Sequence, residues 1–355
     1  MDEIGIGVAR DRFSDILFPG ITTLQTRAKY FFLVPYTLMK LENQKSQVDT
    51  EIFMEKLRRE EKKNCKIFGD VEGNIGNSTL NNNFWIKRGP SEIYWTGLKK
   101  YGFFNDHGIY DNLSLNDYVK ISLSKPNVWE EDSNNRIDNI DFWSLLRNNH
   151  QLYPPAEKYY VDLKMSLTAE ERKVIKHQIE HHCYGSLLKL LLMNPDIDYK
   201  QFLDYNSLFL SFKADDDFGK EFDTLMKQMK MAYLFSELTY FLRILYNCLL
   251  NNVDAQDMWN SESEILIQHC KEIDLDDLSK ILELNTNTGL YKFIKDVLNN
   301  LEKEKQLKIL IQDREFNLKR NRSKIGKVSE SGWIGGKRLD YRFQNAKHIL
   351  NDILE

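Results

Sequence analysis

Along most of this 355-residue chain, apolar residues recur at i, i+3, i+4 and i+7, the spacing of one face of an α-helix. Thr22 or Thr23 can cap the first long pattern. In it Tyr30, Phe31, Val34, Leu38 and Leu41 form one stripe, and Pro35 predicts a kink or two shorter helices. Asp49 or Thr50 opens a second helix, with Ile52, Phe53 and Leu57 opposite the charged run Arg58 to Lys63. Residues 69–83 are rich in Gly and Asn and predict a mobile surface loop. Pro90-Ser91-Glu92 then opens a helix through Trp95 and Leu98 that stops at Gly102; Pro in the first turn and Gly past the end are boundary signals.

Residues 105–138 are polar and turn-rich, with Pro126 and an Asp/Asn/Glu cluster from Glu130 to Asn139. A short amphipathic helix around Phe142 to Leu146 precedes Tyr153-Pro154-Pro155, which places a domain boundary near 155–165. Beyond it, Ser166 or Thr168 with Glu170 and Glu171 starts a helix expected to run to Met193, ahead of Asn194-Pro195. A long helix is predicted from Asp216 to Asn251, and others over 256–272, 275–284, 288–300, 302–320 and 340–354. No repeat of fixed period is present. The 17 Gly and 7 Pro are few for this length and argue against an all-β fold. The expected architecture is mainly α and multi-helical. Two helical domains, 1–155 and 160–318, precede a segment 319–355 that is basic and ends in an amphipathic helix striped by Leu339, Phe343, Ala346, Ile349 and Leu350.

The most apolar stretch, Met231 to Leu250, contains Glu237 and Arg243, so it reads as a buried core helix rather than a membrane span. Met1-Asp2-Glu3 lacks the basic and apolar regions of a signal peptide. Cys65, Cys183, Cys248 and Cys270 are scattered with no C-x-x-C pair, which fits a reducing cytoplasm. A net charge of −4 gives no global attraction to nucleic acid, but its distribution is uneven: residues 319–347 carry +7 and the remainder −11.

Two motifs carry candidate chemistry. His177, Glu180 and His181 form an H-x-x-E-H pattern; on a helix the two imidazoles share a face and could hold Zn²⁺, with Glu180 as general base for a metal-bound water. Glu262 and Glu264 are downstream candidates for a third ligand. The alternative is an exposed polar helix face. In the tail, Lys319, Arg320, Arg322, Lys324, Lys327, Lys337, Arg338 and Arg342 can meet phosphates, with Trp333, Tyr341 and Phe343 interleaved as stacking surfaces. The alternative there is a solvated linker followed by a packed terminal helix. Residues 84–102 resemble a helix-turn-helix segment whose polar face would be Arg88, Ser91, Glu92, Lys99 and Lys100. There is no P-loop, no G-x-S-x-G elbow and no complete dinucleotide fingerprint, which disfavours conventional NTPases, α/β-hydrolases and Rossmann enzymes.

Several blocks occur together: Gly5-Ile6-Gly7-Val8-Ala9-Arg10-Asp11-Arg12-Phe13-Ser14-Asp15, Phe18-Pro19-Gly20, Thr22 to Tyr30, Phe84-Trp85-Ile86 with Pro90 to Trp95, and a looser last block from Trp333 to Leu350. As a set they resemble a widespread bacterial family of unknown function found in mobile and anti-phage defence islands, near helicases and phospholipase D-like nucleases. The resemblance is concentrated in about the first 45 residues, brings no catalytic residues, and implies members that begin upstream of Met1. In the N-terminal block, Asp15 and Arg27 could pair and fix the first two helices, or Arg10, Arg27 and Lys29 could face outward to phosphates or a partner.

The leading expectation is a non-catalytic subunit of a bacterial defence or DNA-processing complex, with no cofactor. It would bind nucleic acid, a helicase or nuclease partner, or both, through Arg10, Arg27, Lys29, Arg88 and the tail. The alternatives are a zinc-dependent hydrolase centred on His177, Glu180 and His181, and a purely structural interaction scaffold.

Overall fold

A computed structural model describes residues 3–44, 49–80, 85–105, 113–124, 141–149, 151–152, 163–212, 218–327 and 332–355. Among them are 15 α-helices and no strand. In chain order these are α1 (Gly7–Leu17), α2 (Tyr30–Asn43), α3 (Thr50–Phe68), α4 (Pro90–Lys100), α5 (Leu115–Ser124), α6 (Ser144–Arg147) and α7 (Ala169–His182). There follow α8 (Leu187–Met193), α9 (Tyr205–Ser211), α10 (Asp223–Leu249), α11 (Val253–Lys271) and α12 (Leu275–Leu282), then α13 (Gly289–Leu298), α14 (Glu304–Lys319) and α15 (Phe343–Leu354). The polar cluster 130–139, Pro126, Asn81 to Phe84 and the Tyr153-Pro154-Pro155 boundary lie outside the described residues. No described helix is long and apolar enough to cross a membrane.

The chain forms two compact units, and both are discontinuous. One holds residues 1–18, 185–187 and 198–343; the other holds 19–184, 188–197 and 344–355. This partition differs from the expected cut near 155–165. The basic tail is not a separate piece, because its residues are shared between the two units.

In the first unit the organising element is α10, buried almost all round. Such a helix must satisfy its polar side chains internally. It does so along one stripe, where Ala232, Ser236, Tyr240, Arg243 and Asn247 face the chain from Ile334 to Tyr341. The Asn247 amide exchanges two hydrogen bonds with the Ile334 backbone (2.8 and 3.0 Å). Arg243 donates to the Lys337 carbonyl at 2.6 Å, Ser236 Oγ accepts from Leu339 N at 2.8 Å, and Tyr341 Oη donates to the Ala232 carbonyl at 2.7 Å. The segment therefore runs antiparallel to α10 and is stitched to it residue by residue. Phe13 of α1 packs on Phe235 and Tyr341, with ring centroids 5.5 and 5.6 Å apart.

In the second unit, α2 continues through Pro35 as one helix, but it starts at Tyr30 and not at Thr22. The backbone of the preceding residues is satisfied by side chains instead of helical bonds. Gln25 accepts from Thr22 N and donates to the Gly20 carbonyl, and the Tyr94 hydroxyl accepts from Thr26 N and Arg27 N. Gly97 of α4 lets this turn approach closely, since a Cβ there would lie 2.8 Å from the Gly20 carbonyl oxygen. Asp49 caps α3 as expected, accepting from Ile52 N.

The described part of the predicted mobile loop, 69–80, is pinned. Asn74 donates to the Cys65 and Gly69 carbonyls, Thr26 Oγ1 to the Gly73 carbonyl, and Ile75 N to the Tyr30 hydroxyl. Residues 85–89 are not helical, so this span contributes the single helix α4 and no helix-turn-helix pair. Ser91, expected on its polar face, is buried. Its N–H donates to the buried Glu61 carboxylate, which caps α4 from α3. Thr168 and Glu171 form the predicted capping box, but α7 stops at His182 because Gly185 turns the chain with φ +63°. The helix expected to reach Met193 is thus two helices.

Candidate functional site

The exposed cations of the tail depend on how α14 ends. Arg320 takes φ +50°, a left-handed conformation rare for a side-chain-bearing residue, and a 3-10 turn follows. Buried Glu315 holds this turn: its carboxylate accepts from Tyr246 Oη (2.8 Å), Ser323 Oγ (2.6 Å), Lys324 N (2.9 Å) and Ile325 N (3.1 Å). Burial alone would raise the Glu315 carboxyl, but these donors outweigh it and hold it below the usual range. The turn presents Arg320, Arg322 and Lys327 to solvent, four to eleven residues past the half-exposed ring of Phe316. Among the described residues no carboxylate pairs with these three, and Lys327 donates to the Asn321 carbonyl.

The remaining basic candidates divide sharply. Lys319 and Lys324 both pair with Glu3, at 3.3 and 3.4 Å. Arg342 pairs with Asp15 at 2.6 Å and approaches Asp11 at 3.7 Å. Arg338 is held by Glu237 and Glu262. Much of the positive charge of the tail is therefore the complement of the chain's own carboxylates. Lys337 is exposed, and its carbonyl accepts from Arg243. Tyr341 and Phe343 are core residues, so they offer no stacking surface; Trp333 is half-buried.

Within the second unit, Lys29 is buried on Glu171 at 2.8 Å and cannot face outward. Arg27 pairs with Asp352 at 2.8 Å, and Asp352 also accepts from Ala28 N. Asp15 and Arg27, which the sequence could pair with each other, each take a partner from the C-terminal segment, Arg342 and Asp352, that local reading does not see. Arg10 remains half-exposed beside Asp11 at 3.0 Å, and Arg88 is exposed.

His177 and His181 are exposed on one face of α7, with ring centroids 5.3 Å apart, as the spacing predicts. Glu180 lies 4.0 Å from Lys176. Among the described residues no three His, Cys, Asp or Glu side chains gather in a metal-holding group. Glu262, one sequence candidate for a third ligand, receives the Tyr240 hydroxyl at 3.1 Å as well as Arg338. Gln178 and His182, on the same helix, line an open cleft of about 630 Å³ with Lys99, Asn105, Asn148 and Asn149. Burial, then the charges of His181, Lys100 and His177, lower the His182 pKa.

A feature missed from sequence lies beside α10. Glu237, noticed only as a break in an apolar run, is the buried centre of a polar cluster: Arg338 donates to both its oxygens, Asn206 Nδ2 donates at 2.7 Å, and His269 Nδ1 lies at 3.2 Å. The Arg338 guanidinium sits 4.2 Å from the Tyr240 ring centroid. Burial, then the charge of Glu262, push the Tyr240 phenol up to about 12. The cluster lines a cleft of about 230 Å³.

The N-terminal blocks, with α1, the Phe-Pro-Gly turn and α4 now placed, fall within residues 1–271, which match the model of a family of unknown function, DUF6361. The chain belongs to this family. The DUF6361 match ends at the last residue of α11 and so includes Glu237, Glu262 and His269, whereas Glu315 and the exposed cations of the tail lie beyond it. Comparison with curated proteins and with solved structures gives no match.

Proposed function

We propose that this protein is a non-catalytic, nucleic-acid-binding subunit of a bacterial defence or DNA-processing complex, in which a helicase or nuclease partner performs the chemistry. The observation that carries the reading is the corner formed by Arg320, Arg322 and Lys327. These cations are exposed, lack a carboxylate partner among the described residues, and are presented by a turn that Glu315 holds in place. A pre-set turn binds phosphates without first losing conformational freedom. Phe316 adds a π-face for an unstacked base. Arg88 and Lys337 are further exposed cations.

Three phosphate contacts imply a slope of log affinity against log salt of about −2.7 on duplex and about −2 on single strands. Raising salt from about 50 to about 200 mM should then weaken duplex binding roughly 40-fold. The test is fluorescence anisotropy of labelled duplex and single-stranded DNA with the full chain and an Arg320→Gln, Arg322→Gln, Lys327→Gln variant. The reading predicts loss of binding and of salt dependence in the variant. No binding by the native protein at low salt, or equal binding by both, overturns it.

A further inference from the structure

The cleft beside α10 carries a second surface of opposite character. Its floor holds two carboxylates, Glu237 and Glu262, against one guanidinium, Arg338, so carboxylates outnumber permanent cations there. Asn206, 5% exposed, lines the same cleft; its Nδ2 is spent on Glu237, and its Oδ1 is buried with no hydrogen-bond donor. An acceptor left unsatisfied beside excess negative charge favours a ligand that donates N–H groups. The lips are apolar: Leu210 of α9 is 65% exposed and Ile265 of α11 is 62% exposed. The outward face of α11 adds Asp254, Asp257 and Glu264, all exposed.

We infer that this cleft is a docking site for a basic, apolar-flanked peptide segment of a protein partner. One Lys or Arg side chain enters the cavity and donates to Asn206 Oδ1 and Glu262, while neighbouring Leu, Ile or Met side chains cover Leu210 and Ile265. The volume of about 230 Å³ is below the roughly 300–1,000 Å³ of small-molecule pockets, which suits one side chain better than a cofactor. The exposed lips extend the contact past the cavity and so favour a peptide over a free amine. The acidic face of α11 would steer a basic partner toward the site. This inference goes beyond the nucleic-acid reading and does not depend on it, since none of its residues belongs to the Arg320 corner.

The test is a positional-scanning hexapeptide array probed with the full chain, followed by anisotropy titrations of the best labelled peptide. Enrichment of Lys or Arg next to Leu, Ile or Met is expected. Ile265→Lys and Leu210→Lys, both at exposed positions that leave the core intact, should each weaken binding by about tenfold or more. Glu262→Gln should weaken it by a smaller factor, and the Arg320/Arg322/Lys327 variant should leave it unchanged. No selection on the array, selection of acidic peptides, or full affinity in folded Ile265→Lys protein overturns the proposal.

Discussion

Replacing Glu315 tests whether the basic corner is a built feature or an incidental turn. In the native protein Oε1 receives Tyr246 Oη and Lys324 N, and Oε2 receives Ser323 Oγ and Ile325 N. Glu315→Gln keeps the shape but turns one oxygen into an N–H donor. A hydroxyl can rotate to accept from that donor, whereas a backbone N–H cannot. Whichever way the amide sits, one backbone N–H, of Lys324 or Ile325, loses its acceptor, and the other bonds lose their charge. A hydrogen bond to a charged group contributes ~1.5–3 kcal/mol, and an orphaned buried donor costs ~1–3 kcal/mol. Lys324 and Ile325 are only half-buried and regain some water, which gives an expected loss of about 2–3 kcal/mol for Gln. Glu315→Ala, which strips all four donors of their acceptor, should lose more, about 3–5 kcal/mol. Urea unfolding at neutral pH measures both. Because the Glu315 pKa is depressed, its contribution is full above the unfolded carboxylate value of about 4.3 and disappears as pH falls through the folded value. Glu315→Gln should therefore show a weaker loss of stability in acid than the native chain. A Gln variant within about 0.5 kcal/mol of native stability, with an unchanged acid limb, would refute the clamp.

Two further outcomes follow from buried charges in the second unit. Burial pushes the Glu61 carboxyl up to about 7 despite the hydrogen bond from Ser91 N, so the unfolded chain releases this proton at lower pH than the folded one. The stability it contributes is present below about pH 4.3 and is lost as pH rises through about 7, by roughly 4 kcal/mol at most. Glu61→Gln should flatten that limb in unfolding experiments between pH 4 and 8, and an unchanged limb would refute the assignment. Lys29→Met leaves Glu171 charged and buried and should cost ~3–5 kcal/mol, whereas Lys29→Met with Glu171→Leu should recover part of that loss in the same assay.

Helical class was legible because the 3.6-residue period runs through nearly every element, and boundaries were legible where capping is local, as at Asp49, Pro90 and Thr168. Elements whose backbone is satisfied by distant side chains were not. Thr22 to Lys29 reads as a helix start because its competitor, the Tyr94 hydroxyl, lies 67 residues away. The charge asymmetry of the tail is visible in the sequence, but pattern alone cannot tell cations awaiting phosphate from cations awaiting Glu3, Asp15 or Glu237. The stripe Ser236, Arg243, Asn247 on an apolar helix was visible in the sequence. It has the spacing of one helix face, and on a buried helix such a stripe signals a bonded partner segment.

The Arg27–Asp352 pair spans 325 residues. A ribosome adding roughly 5–20 residues per second therefore exposes Arg27 some 15–65 s before its partner emerges. Through that interval the backbone N–H of Ala28 also lacks the acceptor that Asp352 will supply. Until Asp352 arrives, the turn at residues 26–28 is held only by its partners from earlier in the chain, Tyr94 and Gly73 among them. Removal of Asp352 would accordingly withdraw the partner of Arg27 and the acceptor of Ala28 N, more than 320 residues upstream.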